Sequence, residues 1–152
     1  MQKSYAVDRL CEMGANVLAS DESGNNVAHL LVTTEQVSAN EVLPVLIAKC
    51  SALVHQKNQQ NETPLHLAAK DRKWDLVRTL LDSGANPLTP DSKGNTILHH
   101  LARCLREQQY VNSLHPGSRR QLRAINRVRK GERVLTRAMT MAKHLYSNMS
   151  AA

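Results

Sequence analysis

The 152-residue chain has 41% hydrophobic residues and a formal net charge of +7, with no Phe, one Trp and three Tyr. This is enough apolar material for one domain or a short array, and an aliphatic core favours short packed helices over a β-sandwich. No apolar run reaches the roughly 18–20 residues that span a bilayer, and the N-terminus lacks an apolar signal-peptide segment.

The first part of the chain contains two predicted helical units. A helix over residues 5–13 ends at Gly14-Ala15-Asn16, a typical helix stop. The next unit carries Asn26-Val27-Ala28-His29-Leu30-Leu31. Its second helix is predicted to start at the capping box Ser38-Ala39-Asn40-Glu41, with Pro44 near the first turn. This unit ends at Cys50-Ser51-Ala52.

The middle unit has the clearest pattern. Thr63 is predicted to cap a first helix, with Pro64 at the first helical position, where a missing N–H has no consequence. A second helix is predicted over residues 74–82 because its apolar residues recur on one helical face: Trp74, Val77, Leu80 and Leu81. Gly84 is predicted to end this helix in a left-handed conformation.

The last unit is predicted to contain an insertion. Its first helix is expected from Thr96 to Glu107 or a little further. The pattern of a second helix then appears only over residues 134–145, so a basic insertion lies at about 108–133. The insertion opens with the turn signal His115-Pro116-Gly117-Ser118 and continues as a predicted basic helix over residues 119–130.

Two markers repeat in phase along the chain. Asn61-Glu62-Thr63-Pro64-Leu65-His66-Leu67-Ala68-Ala69 recurs as Asn95-Thr96-Ile97-Leu98-His99-His100-Leu101-Ala102, with His99 33 residues after His66, and a weaker copy has its histidine, His29, 37 residues before His66. The second marker begins at Gly14, Cys50 and Gly84, at intervals of 36 and 34. A period near 33 residues is typical of stacked helix–turn–helix units. Over most of its length the sequence resembles the ankyrin-repeat family.

The resemblance implies an all-α ankyrin-repeat solenoid over residues 1–148, made of a half repeat and three repeats of antiparallel helix pairs, with hairpin-like fingers between them. The expected units are about 1–20, 21–54, 55–87 and 88–148. In the family, the motif histidines hydrogen-bond backbone groups within and between repeats; here they are His29, His66 and His99. Arg72-Lys73 stand where the family usually has Gly-His, and Cys50 replaces the glycine that ends a repeat.

The residues that could perform chemistry show no catalytic pattern. The three cysteines form no CxxC pair and are interpreted as reduced, mostly buried side chains: Cys11, Cys50 and Cys104. No phosphate-binding glycine loop, HExxH or GxSxG sequence is present. We therefore expect no catalytic residue, no metal site and no cofactor.

By resemblance, the chain is expected to be a non-catalytic scaffold or adaptor that binds a partner protein through finger tips and inner-helix surfaces, on its own or as part of a larger protein or effector. The corresponding positions are Asp21, Glu22, Ser23, Gln56, Asn58, Gln60, Lys70, Arg72, Asp91, Ser92 and Lys93. We expect a cytoplasmic monomer, with the nucleus or the cytosol of a host cell as alternative locations.

The basic insertion is a second candidate surface, represented by Arg119, Arg123 and Arg127. Residues 119–137 carry eight basic side chains and one acid, which accounts for the whole net charge. The segment is interpreted either as a solvated loop helix or as a docking surface for an acidic protein. The alternative function is an electrostatic tether to nucleic acid or anionic membrane, against which stand the lack of stacking aromatics and the thin apolar stripe.

Overall fold

The computed structural model of the chain describes residues 9, 12–34, 39–114, 130, 132–144 and 147, with the backbone alone at residues 105 and 107–114. These residues are almost entirely helices and turns. Their β-type pairing is limited to an isolated antiparallel bridge between Ser20 and Asn26. The all-α prediction is therefore confirmed. None of the helices in these ranges has the length and apolar content needed to cross a membrane.

Five α-helices have defined bounds: α1 Val27–Thr33, α2 Ala39–Lys49, α3 Pro64–Lys70, α4 Trp74–Asp82 and α5 Ile97–Leu114. A short 3₁₀-helix, Ser51–Val54, follows α2. Residues 132–144 are also helical and are called the C-terminal helical segment. Helices α1, α3 and α5 carry the repeated histidine motif and are called the inner helices. Helices α2 and α4 are the outer helices.

Side chains cap the first two inner helices, and α3 begins where the sequence predicts. The Asn26 side chain caps α1 by accepting the N–H groups of Ala28 and His29 at 2.9 and 3.1 Å. Thr63 takes the same position before α3, and Pro64 is the first residue of that helix. Both caps satisfy backbone donors that a helix start leaves without an intrahelical partner.

One continuous hydrophobic core joins the units. Helix α4 covers the predicted residues 74–82 and buries Val77, Leu80 and Leu81 completely. In α3, Ala68 and Ala69 are fully buried, and their small side chains allow the close approach of α4 and α5. Because α3 contacts α1, α4 and α5, the second repeat is buried between its neighbours. Its stability is therefore shared with them.

The C-terminal helical segment lies beside α4. Its buried face is Val134, Ala138 and Ala142. Two ion pairs link this part of the chain to α4: Lys130, which precedes the segment, with Asp75 at 3.3 Å, and Arg137 of the segment with Asp82. The two acids are seven residues apart and so are the two bases, so the segment runs parallel to α4. The segment thus occupies the outer-helix position of the third repeat.

One detail differs from the sequence-based expectations. Helix α5 runs to Leu114, into the residues assigned to the insertion, because helical backbone continues through a position where spacing alone places a boundary. Pro44 lies inside α2, just after its first turn. The predicted basic helix over residues 119–130 lies outside the described residues except for Lys130.

The turn between α3 and α4 depends on Arg72 and Lys73. Arg72 has a φ of +57°, a left-handed conformation that a Cβ disfavours. Lys73 directs its ammonium group to the backbone carbonyls of Val32 and Thr34, the latter at 2.7 Å. These carbonyls lie at the C-terminal end of α1, where the helix dipole favours a positive charge. Lys73 therefore ties the second repeat to the first.

The backbone at Arg72 gives a first prediction. Arg72→Gly should be more stable than Arg72→Ala by about 1 kcal/mol, because both variants lose the side chain and only glycine relieves the left-handed strain. Urea unfolding of the two variants measures the difference. Equal stabilities would show that this turn relaxes without strain.

The register of α4 and the C-terminal segment gives a second prediction. Arg137→Asp and Asp82→Arg should each reduce the free energy of unfolding, and the double exchange should recover about 0.5 kcal/mol relative to their sum, as for other exposed ion pairs. The recovery should shrink at high salt. Purely additive effects at low salt would contradict the assigned register.

Candidate protein-binding surface

Three five-residue turns form the projecting edge of the array. They are called the first, second and third fingers: residues 21–25, 58–62 and 91–95. In each one, the N–H of the first residue donates to the carbonyl of the fifth at 2.9 Å. The first side chain also accepts the N–H groups of the third and fifth residues at 2.8–3.0 Å. One side-chain oxygen therefore holds each finger closed.

Neighbouring fingers are hydrogen-bonded to each other. The Gln59 N–H donates to the Ser23 carbonyl at 3.0 Å, and the Ser92 N–H donates to the Gln60 carbonyl at 3.1 Å. The Gln59 amide adds a bond to the Glu22 carbonyl at 2.7 Å. Lys57 reaches the Pro90 carbonyl at 3.3 Å. These bonds fix the three tips side by side, so the edge is a preformed row.

His29 connects the first inner helix to the second finger. Its Nδ1 accepts the Asn26 N–H at 3.2 Å, so the neutral ring carries its proton on Nε2. That nitrogen donates to the Glu62 carbonyl at 3.0 Å, 33 residues away. Burial lowers the pKa of His29, while the Glu62 carbonyl opposes the shift. This is the link within and between repeats that the resemblance implies.

The later motif histidines differ from His29. His66 accepts the Thr63 N–H at 3.2 Å, but its Nε2 is buried without a hydrogen-bond partner among the described residues. His99 makes the same contact with Thr96 and is exposed. Its neighbour His100 is buried, with Nε2 3.2 Å from a carboxylate oxygen of Asp91. His100, the neighbour of the motif histidine His99, therefore places its imidazole under the third finger.

Asp91 is an ionised side chain inside the third finger. Burial raises its pKa, but the N–H groups of Asn95 and Lys93, the His100 ring and the Asn95 amide together outweigh that effect and lower the pKa to about 2. Asp21 in the first finger is exposed, and hydrogen bonds from Asn25 lower its pKa. Both carboxylates therefore act as hydrogen-bond acceptors at neutral pH.

The exposed face of the inner helices is apolar near α1 and basic near α5. Leu30 on α1 is 44% exposed, and Leu67 at the same motif position on α3 is partly buried. Lys70 follows on α3 and pairs with the buried Glu62 carboxylate at 2.8 Å. Among the α5 side chains that the structure describes, the exposed charged residues are Arg103 and Arg106. The charge of this face therefore changes along the array.

The structure divides the predicted partner-binding residues into three groups. Those with exposed side chains are Asp21, Glu22, Ser23, Gln60, Lys70, Arg72, Ser92 and Lys93. Those directed into the fold are Gln56, which accepts from Asn26 at 2.8 Å, and the buried turn residues Asn58 and Asp91. Those outside the described residues are Arg119, Arg123 and Arg127.

Leu30 and Gln59 also lie on this surface, although the sequence analysis did not select them. Leu30 has the motif position of Leu67, and alignment of the repeats alone gives no reason why it should be more exposed. Gln59 is the second residue of its finger, as Glu22 and Ser92 are of theirs. Gln59 could therefore have been selected from the sequence by its position in the finger. Among the described residues, no three potential ligands converge to hold a metal ion.

The spacing between fingers gives a third prediction. Gly24 and Gly94 have similar φ values of +77° and +76°. A Cβ on Gly24 would lie 3.1 Å from the Gln59 nitrogen, whereas a Cβ on Gly94 would meet nothing within 4 Å. Gly24→Ala should therefore be less stable than Gly94→Ala by about 1 kcal/mol in urea unfolding. Matching losses would show that the first two fingers separate easily.

Relatives of the chain are found in viruses, bacteria and vertebrates. The putative ankyrin repeat protein R664 of Acanthamoeba polyphaga mimivirus is 35% identical over 95 residues, which cover 60% of this chain and 58% of that protein. Phosphocholine transferase AnkX of Legionella pneumophila is 30% identical over 97 residues, or 64% of this chain. The mouse B-cell lymphoma 3 protein homolog is 34% identical over 79 residues, or 52% of this chain.

The alignments cover only part of the larger relatives, namely 10% of AnkX and 18% of the B-cell lymphoma 3 protein homolog. Within this chain, residues 46–104 match the family model of ankyrin repeats (many copies). The matched range contains the end of α2, the whole of α3 and α4, two of the three fingers and the first turns of α5. These matches show that residues 46–104 of this chain are ankyrin repeats.

Proposed function

We propose that this chain is a non-catalytic scaffold or adaptor that binds a partner protein across its three fingers and the exposed face of its inner helices. Ankyrin repeats generally mediate protein–protein interactions. The observation that carries the proposal is the row of fingers joined by backbone hydrogen bonds, with exposed side chains at the tips. A preformed surface loses little conformational entropy when it binds, which favours affinity.

The charges on this surface favour a partner segment with opposite charges at its two ends. Asp21 and Glu22 make the first finger acidic. Towards the third repeat, the described part of the surface carries four exposed basic residues: Lys57, Lys93, Arg103 and Arg106. Complementary charges set the orientation and association rate of a bound segment more than its affinity. An acidic portion of the partner is therefore expected next to α5.

Affinity requires apolar contact as well, and Leu30 supplies it. This side chain is 44% exposed on α1, next to the acidic first finger. Burying a leucine side chain of this kind contributes on the order of 1 kcal/mol, and binding energy is concentrated in few residues. The proposal thus expects an apolar partner side chain near α1.

Two charge-neutral double variants test the proposed surface. Glu22→Lys with Lys93→Glu reverses the charges at the first and third fingers. Glu41→Lys with Arg78→Glu makes the same exchange at exposed positions of the outer helices α2 and α4. Binding partners from a nuclease-treated lysate should be retained by the wild type and by the outer-helix variant. The finger variant should retain at least roughly tenfold less, as for loss of a few favourable contacts.

A third variant carries Glu at Arg119, Arg120, Arg123, Arg127 and Arg129. If this variant loses the partners of the wild type while the finger variant retains them, the basic insertion is the recognition surface and the finger proposal is wrong. Capture that disappears with nuclease would instead favour an electrostatic tether to nucleic acid. Circular dichroism of each variant confirms that the fold is kept, so that loss of binding reports on the surface.

A further inference from the structure

The hydrogen bonds between the fingers all run in one direction. The second residue of a finger donates its N–H to the third residue of the finger before it. Gln59 donates in this way to Ser23 at 3.0 Å, and Ser92 donates to Gln60 at 3.1 Å. At the start of the row the corresponding donor is the Glu22 N–H, which has no acceptor among the described residues. The row therefore begins with an open backbone donor.

The inner helices are open at the same end. His100 has the motif position of Leu67, and its ring packs against His66 on the preceding inner helix, with centroids 6.0 Å apart. At this position His100 is 5% exposed, Leu67 is partly buried and Leu30 is 44% exposed. None of the described residues forms an inner helix before α1. Leu30 is exposed because the helix that covers this position in the later repeats has no counterpart there.

The outer layer is filled at this end. Positions 9 and 12 are helical. Gly14 then has a φ of +81°, as Gly84 after the outer helix α4 has a φ of +89°. The Asn16 side chain accepts the N–H two residues further on at 3.0 Å, as the Asn86 side chain does at 2.9 Å. These residues thus repeat the end of an outer helix, and the place in front of α1 is open in the inner layer alone.

The open end is also acidic. Asp21 and Glu22 are exposed in the first finger, and Glu22 has no ion pair with a described residue. A segment that continued the row would place the third residue of its turn beside Glu22, as Ser23 lies beside Gln59. A basic residue at that position would complement the Glu22 charge.

We propose that Glu22 and Leu30, together called the front of the array, bind a turn followed by a short amphipathic helix of a partner protein. The turn offers a carbonyl to the Glu22 N–H and a basic side chain to the Glu22 carboxylate. The helix covers Leu30 with an apolar residue. The segment thereby takes the place that a preceding finger and inner helix would have, and it combines the addition of an extended backbone with the docking of an amphipathic helix.

A second copy of the chain does not fit this place in the same register. Its third repeat has the C-terminal helical segment in the outer layer. The outer layer in front of α1 already holds the helix that ends before Gly14. Two outer helices would then require one place, whereas a segment without an outer helix meets no such conflict.

A peptide from the chain itself tests the front, because it has the required chemistry. Residues 90–103 contain the third finger, with Lys93 as its third residue, and the first two turns of α5. The peptide, with blocked ends, is added at millimolar concentration to the isotope-labelled full chain. The NMR signals of the Glu22 amide and the Leu30 methyl groups should shift and reach saturation. The absence of saturable shifts at these groups would overturn the proposal.

Three variants of the chain separate the contacts. Glu22→Pro removes the open N–H, and proline suits this second position of a tight turn. Glu22→Gln keeps the N–H and removes the charge, and Leu30→Gln removes the apolar contact. Each variant should bind the peptide several-fold more weakly, while Glu41→Gln on the exposed face of α2 should bind as the wild type does. Unchanged affinity in all three front variants would show that the peptide binds elsewhere, against the proposal.

A charge exchange between peptide and chain tests the register. The peptide with Lys93→Glu should bind the wild-type chain several-fold more weakly, and it should recover affinity for the chain with Glu22→Lys. Recovery in this reversed pair places the third residue of the added turn beside Glu22. Lack of recovery would contradict the proposed continuation of the row.

Two results would identify another occupant or site. Shifts at the Ser92 and Lys93 amides in place of Glu22 would mean that the peptide binds across the finger tips. Shifts at Glu22 and Leu30 that grow with the concentration of the chain alone would identify a second copy as the occupant. Either result overturns the proposal.

The inference deepens the proposed function, since it states what a partner presents to Leu30 and the first finger. The two can fail separately. The peptide experiment reports on the front of the array without the natural partner, and the paired charge exchanges report on binding of that partner across the fingers.

Discussion

The array depends on one side-chain oxygen at the start of each finger. Asp21, Asn58 and Asp91 each accept two backbone N–H groups, which closes a five-residue turn. The closed turns expose the carbonyls and N–H groups that join one finger to the next. The turn also sets the position of the following N-cap, and so the start of each inner helix. The same side-chain oxygen therefore determines the shape of the finger, the start of the inner helix and the spacing between repeats.

Much of this architecture could be predicted because the signals are local. Trp74 to Asp82 is a helix with the predicted bounds, and Thr63 with Pro64 starts α3 as capping chemistry requires. Gly84 has the predicted left-handed conformation, with a φ of +89°. The period of the motif predicted that the helix pairs stack, since each unit must bury its apolar face against the next.

The candidate site was harder to predict because exposure depends on contacts between repeats. Asn58 and Asp91 look like solvent-facing turn residues in the sequence, yet each is buried as the acceptor of its own turn. Leu30 and Leu67 share a motif position and differ in exposure. His99 and His100 are adjacent, and only the packing of α3 against α5 decides which is buried. The end of α5 was missed because helical backbone continues past the repeat boundary.

On a repeated surface the alignment of a bound segment is ambiguous, because a segment shifted by one repeat contacts nearly the same backbone. Helix α5 removes this ambiguity. It has 18 residues, against seven in α1 and in α3, and the 11 additional residues extend it by about 16 Å at the usual rise per residue. No other inner helix in the described part of the chain offers such an extension. A segment that contacts it has a single alignment on the array, and any shift by one repeat forfeits that contact.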